Sequence, residues 1–262
     1  MAIKLARNKS LTIVDGTLTD IFNGAVRPNR LDTIRFCWML RELGFDFIEI
    51  NADILKALKK LPAGVNFLFR IERPEDVRIC MENKIKHCCI DELLSFDLDM
   101  LSLLHDSGTD VMVEMRLERM KALKNLIALE AKSFFIKNIR VVGINSVQDV
   151  EWVAGFVNGA GKSLGIPLNL RPENKFSSAA AIAVEAVKKG FDSLTTVFAG
   201  DRAEMAYAAA DEFLTAAKDL LNPGYEMNTT ILSEVLKYLR HVSRLHRPVS
   251  NKTCPLFYPS PI

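Results

Sequence analysis

The chain has 262 residues, long for an ordinary domain but suited to a single α/β barrel of roughly 250 residues. Hydrophobic residues make up 49% and charged residues 25%, enough for a large core. With 34 basic and 32 acidic residues the formal charge is +2, and no block of like charge stands out, so neither a nucleic-acid nor a membrane footprint is expected.

The opening Met-Ala-Ile-Lys-Leu-Ala-Arg-Asn-Lys lacks the apolar stretch of a signal peptide. No apolar run reaches the roughly 18 residues that a membrane-spanning helix needs. The five cysteines (Cys37, Cys80, Cys88, Cys89 and Cys254) are odd in number and lack metal-type spacing. Free thiols in a cytoplasmic protein are the expectation. His87-Cys88-Cys89 does not make a metal site, because adjacent strand residues point to opposite faces.

In chain order, eight β-like runs alternate with helical stretches. The run 11–17 precedes a helix over 31–43, stopped by Gly44. The run 45–50 precedes a helix over 53–61. The third, 66–71, leads to a helix opening at Pro74-Glu75-Asp76, where proline and acids suit a first turn. The fourth, 86–91, is followed by a helix over 98–105, and the fifth, 110–116, by one over 120–131. The sixth, 138–143, precedes a helix over 147–157. The seventh, 167–173, precedes 179–189, which Gly190 stops, and the eighth, 193–199, precedes a long helix over 204–220.

Strands interleaved with helices pair in parallel through right-handed crossovers. Eight such units predict a closed (β/α)8 TIM barrel over residues 1–222; an open doubly wound sheet is the alternative. Residues 223–262 form a C-terminal appendage: a helix over 231–245, capped by Asn228 or Thr229, then a proline-rich tail.

Alternation sorts the polar side chains. The outer face of a barrel is covered by helices, so polar faces are expected to point inward. On that basis the C-terminal mouth carries Asp15, Thr17, Glu49, Glu114, Asn169 and Glu173, facing Arg70, Arg116 and Arg171, with Arg140 close by. Buried charges must pair with one another or with a ligand. Two readings follow: an ion-pair network that fills the barrel, or a pocket in which arginines grip an anionic small molecule.

The stretch Val14-Asp-Gly-Thr-Leu-Thr-Asp20 resembles the Asp-x-Thr-Leu-Arg-Asp-Gly signature of the homocitrate synthase and isopropylmalate synthase family, in particular the nitrogen-fixation-associated homocitrate synthases. Gly44-Phe-Asp-Phe-Ile-Glu-Ile50 is similar to that family's second strand, whose glutamate lies in the 2-oxo acid site. Val142-Gly143 resembles the end of its Asp-Thr-Val-Gly strand, and 173–183 run in step with its His-Asn-Asp-Phe-Gly-Leu-Ala-x-Ala-Asn stretch. Residues 232–248 are similar to the helix that leaves the family's barrel. The likeness covers nearly the whole chain in matching order. It implies a TIM barrel, a homodimer, a divalent metal, and condensation of acetyl-CoA with a 2-oxo acid.

The departures fall on the chemistry. In the family's pattern the metal is held by a strand-one aspartate, matched by Asp15, and a His-x-His pair, here Arg171 and Glu173. Glutamate can ligate a hard cation, whereas arginine stays protonated and repels one. The signature arginine is Thr19, the Asp-Thr pair of strand six reads Arg140-Val141, and the late Gly-Glu-Arg-Ala-Gly-Asn motif survives only as Gly200-Asp-Arg-Ala-Glu-Met205. The small subdomains that supply an acid/base histidine in condensing members have no counterpart. No cofactor is expected, with Asp15 and Glu173 the only weak metal candidates.

Three functions compete. In the first, the chain is a non-catalytic subunit of an intact synthase-like partner, or a sensor of a small dicarboxylic or 2-oxo acid. In the second it is a metal-free acyltransferase or carbon–carbon lyase: Asp15, Glu49, Arg171 and Glu173 are catalytic, and Thr17, Thr19, Arg70, Glu114, Arg116, Arg140, Asn169 and Thr196 hold substrate. The third retains the homocitrate synthase reaction, with acetyl-CoA and 2-oxoglutarate as substrates.

Overall fold

Strand pairing closes the chain on itself. The computed structural model describes residues 3–4, 10–21, 29–92, 97–122, 134–159, 165–175, 177–198, 207–221 and 227–245. Among these, β2 (Ser10–Asp15), β3 (Phe47–Ile50), β4 (Phe67–Ile71), β5 (His87–Asp91), β6 (Asp110–Arg116), β7 (Ile136–Ile144), β8 (Leu168–Pro172) and β9 (Ser193–Thr196) pair in sequence order. All are parallel. β9 then pairs with β2, from Thr12 beside Ser193 to Asp15 beside Thr196, which completes the barrel. A short β1 (Ile3–Lys4) runs antiparallel to the start of β2. The (β/α)8 architecture is therefore the observed one.

The described helices are α1 (Thr17–Ile21), α2 (Arg30–Glu42), α3 (Ala52–Leu58), α4 (Asp76–Glu82), α5 (Leu98–Asp106), α6 (Leu117–Met120), α7 (Val147–Asn158), α8 (Ala179–Lys188), α9 (Ala210–Leu220) and α10 (Thr229–Leu245). Side-chain caps fix several starts. Asn29, Asn51, Asp97 and Ser146 each accept from a backbone N–H of the first turn, satisfying donors that the helix leaves open. Asn228 does the same for Ile231 at the start of α10.

Several boundaries differ from the sequence expectation. A turn of helix, α1, follows β2 at once, where a strand end at Thr17 is expected. The last barrel helix begins at Ala210 rather than 204. Residues 207–209 instead stay extended, Tyr207 bridging Glu173 and Ala209 bridging Val197. Ala208 donates to the Pro172 carbonyl and Ala210 to that of Val197, and these bonds compete with helix formation for the same groups. The expected helix over 120–131 falls largely, and the tail after 245 wholly, outside the described residues.

Alternation along the strands produces two cores. Ile13, Ile48, Ile50, Phe69, Ile90, Val113, Val141, Leu170 and Leu194 point outward and pack under helix residues such as Phe36, Leu40, Leu101, Leu104 and Phe213. Each such side chain contributes about 1.5–3 kcal/mol by leaving water. Val14, Leu68 and Cys89, with Phe47 and Met112, form a separate inner cluster inside the lumen. α10 seals the outside of α2 through Val235 and Leu239, and the Phe36 and Tyr238 rings stack at 5.4 Å. Cys37, Cys80, Cys88 and Cys89 are buried free thiols. No described helix is long and apolar enough to cross a membrane.

Candidate functional site

Counting by twos from the inner apolar cluster identifies what lies above it. From Phe47 the next lumen residue is Glu49; from Leu68, Arg70; from Met112, Glu114. β7 adds Arg140, β8 adds Asn169 and Arg171, and β9 adds Ser193 and Thr195. The C-terminal half of the lumen is thus built from ions. Glu49 and Arg140 are fully buried, Glu114 and Arg171 nearly so, and Arg70 reaches partly into solvent.

The contacts are dense. Arg70 grips Glu114 with both terminal nitrogens, Nη1 to Oε2 at 3.1 Å and Nη2 to Oε1 at 2.7 Å. Such a two-pronged pair is the strongest geometry open to these groups. Arg140 Nη1 donates to Glu49 Oε2 and lies 3.4 Å from Glu114 Oε2, while its Nε donates to Asn169 Oδ1 at 3.3 Å. Arg171 Nη1 sits 3.5 Å from Glu114 and 3.8 Å from Glu49. Thr19 Oγ1 lies 2.8 Å from Glu49 Oε1 and 3.0 Å from the Gly16 carbonyl. Asn169 donates to Ser193 at 2.8 Å and accepts from Thr195 at 2.7 Å.

Three guanidinium groups therefore face two carboxylates. Burial alone pushes the Glu49 carboxyl up, but Arg140, Arg171 and Arg70 together outweigh it and hold it well below the usual range. Glu114 follows the same balance and falls to about 2: burial raises it, and Arg70, Arg140 and Arg171 overcome that. Both are carboxylates at any physiological pH. Arg140 Nη2 and Arg171 Nε, both buried, find no partner among the described residues. The cluster thus has cationic capacity left over.

Arg171 is held on three sides. Its guanidinium stacks on the Tyr207 ring, 3.7 Å from the centroid, a close cation–π contact. Tyr207 is placed there by its bridge to Glu173. On the opposite side lies Gly16, where an added Cβ would come within 3.3 Å of Arg171 Nη2 and of Val197 Cγ1. A side chain at that position would push the guanidinium aside. Above these residues opens a polar cavity of about 210 Å³, lined by Thr19, Asp20, Glu49, Arg70, Glu72, Arg171 and Tyr207.

Of the residues singled out from the sequence, Thr19, Glu49, Arg70, Glu114, Arg140, Asn169 and Arg171 converge here. Asp15, Thr17, Arg116, Glu173 and Thr196 do not. Asp15 shares its face with Ile13, so its side chain turns toward the helices and not into the lumen. There Thr17 holds it, Oγ1 to Oδ2 at 2.7 Å and the Thr17 N–H to Oδ1 at 3.1 Å. Burial raises the Asp15 carboxyl to about 7 against the pull of those bonds. Thr17 also accepts from the Phe198 N–H at 2.8 Å, tying β2 to the end of β9. Thr196 pairs beside Asp15 and is buried on the same outer face, its hydroxyl without a partner among the described residues. Arg116 is exposed at the start of α6, and Glu173 is half-buried beside the cavity without lining it.

Asp20 and Tyr207 are cavity residues that the sequence reading missed; Glu72 joins Arg70 there, as the alternation of their strand expects. α1 carries Asp20 into the mouth, whereas the expectation that polar strand residues point inward put Asp15 there. Starting the count from the apolar inner residue Val14 gives the correct parity. The chain bend that delivers Tyr207 has no sequence signal.

The donor set does not fit a divalent cation. Among the described residues no three His, Cys, Asp or Glu side chains converge as a metal site. Asp15 faces the wrong side of β2, and Glu173 is separated from it by a guanidinium that cannot shed its proton. The charge at the centre of the mouth is Arg171 itself.

No protein-family model matches the chain. Among curated proteins it is similar to the homocitrate synthase omega subunit of Clostridium pasteurianum, 24% identical over 240 residues. That match covers 88% of this chain and 65% of the relative, so the chain spans a little under two-thirds of the relative's length. Among solved structures it is similar to the N-terminal domain of a putative aldolase from Bacteroides vulgatus (TM-score 0.72, 13% identity, 90% of this chain and 88% of that one). A lyase for HMG-CoA from Acinetobacter baumannii, solved with coenzyme A and 3-methylmalate, superposes with a TM-score of 0.68 at 11% identity over 96% of this chain and 98% of that one. These structures establish the barrel. Alongside that shared fold, the chain's sequence is similar to a homocitrate synthase subunit.

Proposed function

We propose that this homocitrate synthase-like chain binds a small carboxylate anion at the barrel mouth and works as a non-catalytic or partner-dependent subunit. The carrying observation is the excess of buried cation: Arg70, Arg140 and Arg171 surround Glu49 and Glu114 beside a cavity of about 210 Å³. An incoming carboxylate meets Arg70 and Arg171 in a cavity that Asp20, Glu49 and Glu72 also line, so capture rests on charge-assisted hydrogen bonds to the two arginines. Arg171 is the anchoring residue, held in place by Tyr207 and Gly16.

Two further facts support the subunit role. The Clostridium pasteurianum relative is named as one subunit of a homocitrate synthase. Among the described residues the mouth also lacks a donor set for a divalent ion, so polarisation of a 2-oxo acid by a metal has no support from them. An intact synthase-like chain is the partner that fits this reading.

Mass spectrometry of small molecules released from protein purified from its native cell tests both halves, alongside identification of co-purifying chains. A 2-oxo or dicarboxylic acid lost on Arg171→Met, together with a synthase-like partner, is the expected result. Coenzyme A release from acetyl-CoA and 2-oxoglutarate by the purified chain alone would overturn the reading.

A further inference from the structure

The barrel has a second opening, at its N-terminal end, and its chemistry is unlike that of the mouth. Inside it lies a cavity of about 110 Å³ with walls formed by Val14, Phe47, Leu68, Val111 and Met112. Those walls are the inner apolar cluster and its neighbours, held away from the outer core by the strands themselves. A lumen is normally filled by layers of side chains, so an unfilled layer is a departure from the expected packing. Where the neighbouring layer is packed with ions, this one contains space.

One buried polar atom of a lining residue has no partner among the described residues. Asn138, on β7, lines the cavity, and its Oδ1 is buried and accepts no hydrogen bond among the described residues. A buried acceptor of this kind requires a donor. At the rim the His87 ring meets the Phe47 ring edge-on, centroids 5.0 Å apart, and His87 Nδ1 lies 3.4 Å from Asp110. Aromatic edge and apolar floor together suit a flat, uncharged ring. A dry apolar cavity of about 150 Å³ takes up benzene; this one, at about 110 Å³, is smaller but open at one end, so a single ring enters with part of it at the rim.

The geometry points to a second ligand site in the N-terminal half of the lumen, for a small neutral molecule with an aromatic or branched aliphatic body and one hydroxyl. The body lies against Phe47, Leu68 and Met112, and the hydroxyl donates to Asn138 Oδ1. The charged lining residues Lys137 and Asp110 oppose one another in sign, so the cavity carries no net charge that would favour an ion over a neutral ligand. The site is independent of the mouth and of its anion.

Phenol is the direct probe. Crystals of the full chain soaked in phenol should show the ring between Phe47 and Leu68 and its oxygen at Asn138. Phenol should raise the melting temperature in a saturable way, and benzene should bind several-fold more weakly. Asn138→Leu should invert that preference, favouring benzene, while Leu68→Phe should fill the space and abolish both effects. Soaks of the unaltered protein that show only ordered water, or phenol binding that Leu68→Phe leaves unchanged, would overturn the assignment. The crystal soak needs no variant, so a misfolded variant does not blunt the test.

Discussion

The two halves of the lumen share one set of strands and obey opposite rules. In the lower half Val14, Phe47, Leu68, Cys89 and Met112 meet through apolar contact; two residues further along the same strands, Glu49, Arg70 and Glu114 meet as ions. The lower half shows that this barrel closes without charge. Apolar residues of matching volume usually stabilise as well as a buried ion cluster or better. The charged half is therefore not required for closure, and the proposed anion binding is the role that would account for it.

The largest expected effect comes from breaking that charged half at its centre. Glu49→Ala leaves Arg140 buried without its main counter-ion and should cost about 3–5 kcal/mol. Urea unfolding measures it. Replacing both ions, as Glu49→Leu with Arg140→Met, should restore much of that loss and confirm that the cluster is not a folding requirement. A loss in the double variant as large as in the single one would make the two halves alike.

The corresponding change in the lower half is smaller. Leu68→Ala enlarges an existing void in the inner cluster and should cost about 2–4 kcal/mol by the same measurement, without affecting anion binding at the mouth.

Asp15 sharpens the contrast through pH. Its carboxyl moves from an ordinary 3.8 to about 7 in the folded chain, burial being the first cause. The folded state then holds a proton that the unfolded state has released, so this group's contribution falls as pH rises from about 4 to about 7. The total is at most about 4 kcal/mol, from roughly 1.4 kcal/mol per pKa unit. Asp15→Asn should remove that fall, so its advantage over the parent should grow between pH 5 and pH 8. Glu49 and Glu114 act with the opposite sign. Both are depressed, so their contribution is complete above about 4.5 and is lost as pH falls toward 2 and below. The smallest effect is local: Asn228→Ala removes the α10 cap and should cost about 1 kcal/mol.

How much of this was legible in the sequence depends on the physics of each feature. The barrel was, because eight strand runs alternating with helices have few other closed arrangements. Glu49, Arg70, Glu114, Asn169 and Arg171 were placed in the lumen correctly because strand alternation is a rigid rule over a few residues. Alternation does not say which face is inward: Asp15 obeys it and shares the outer face of Ile13, so taking polar residues as inward misplaced it, while α1 brings Asp20 to the cavity. Arg116 and Glu173 lie one step past the last layer, where strand parity no longer fixes direction. Tyr207 arrives through a bridge to Glu173, a long-range pairing with no local pattern. The lower cavity was invisible for a related reason: each wall residue is an ordinary strand residue, and the void exists only in their sum.

The most direct test is a calorimetric titration of 2-oxoglutarate into the purified chain, with and without EDTA, for the parent and for Arg171→Met. The account predicts one affinity for the parent in both buffers, and a loss of roughly tenfold or more in the variant, the scale of one charge-assisted hydrogen bond. Binding that needs a divalent ion, or that survives Arg171→Met unchanged, would contradict it.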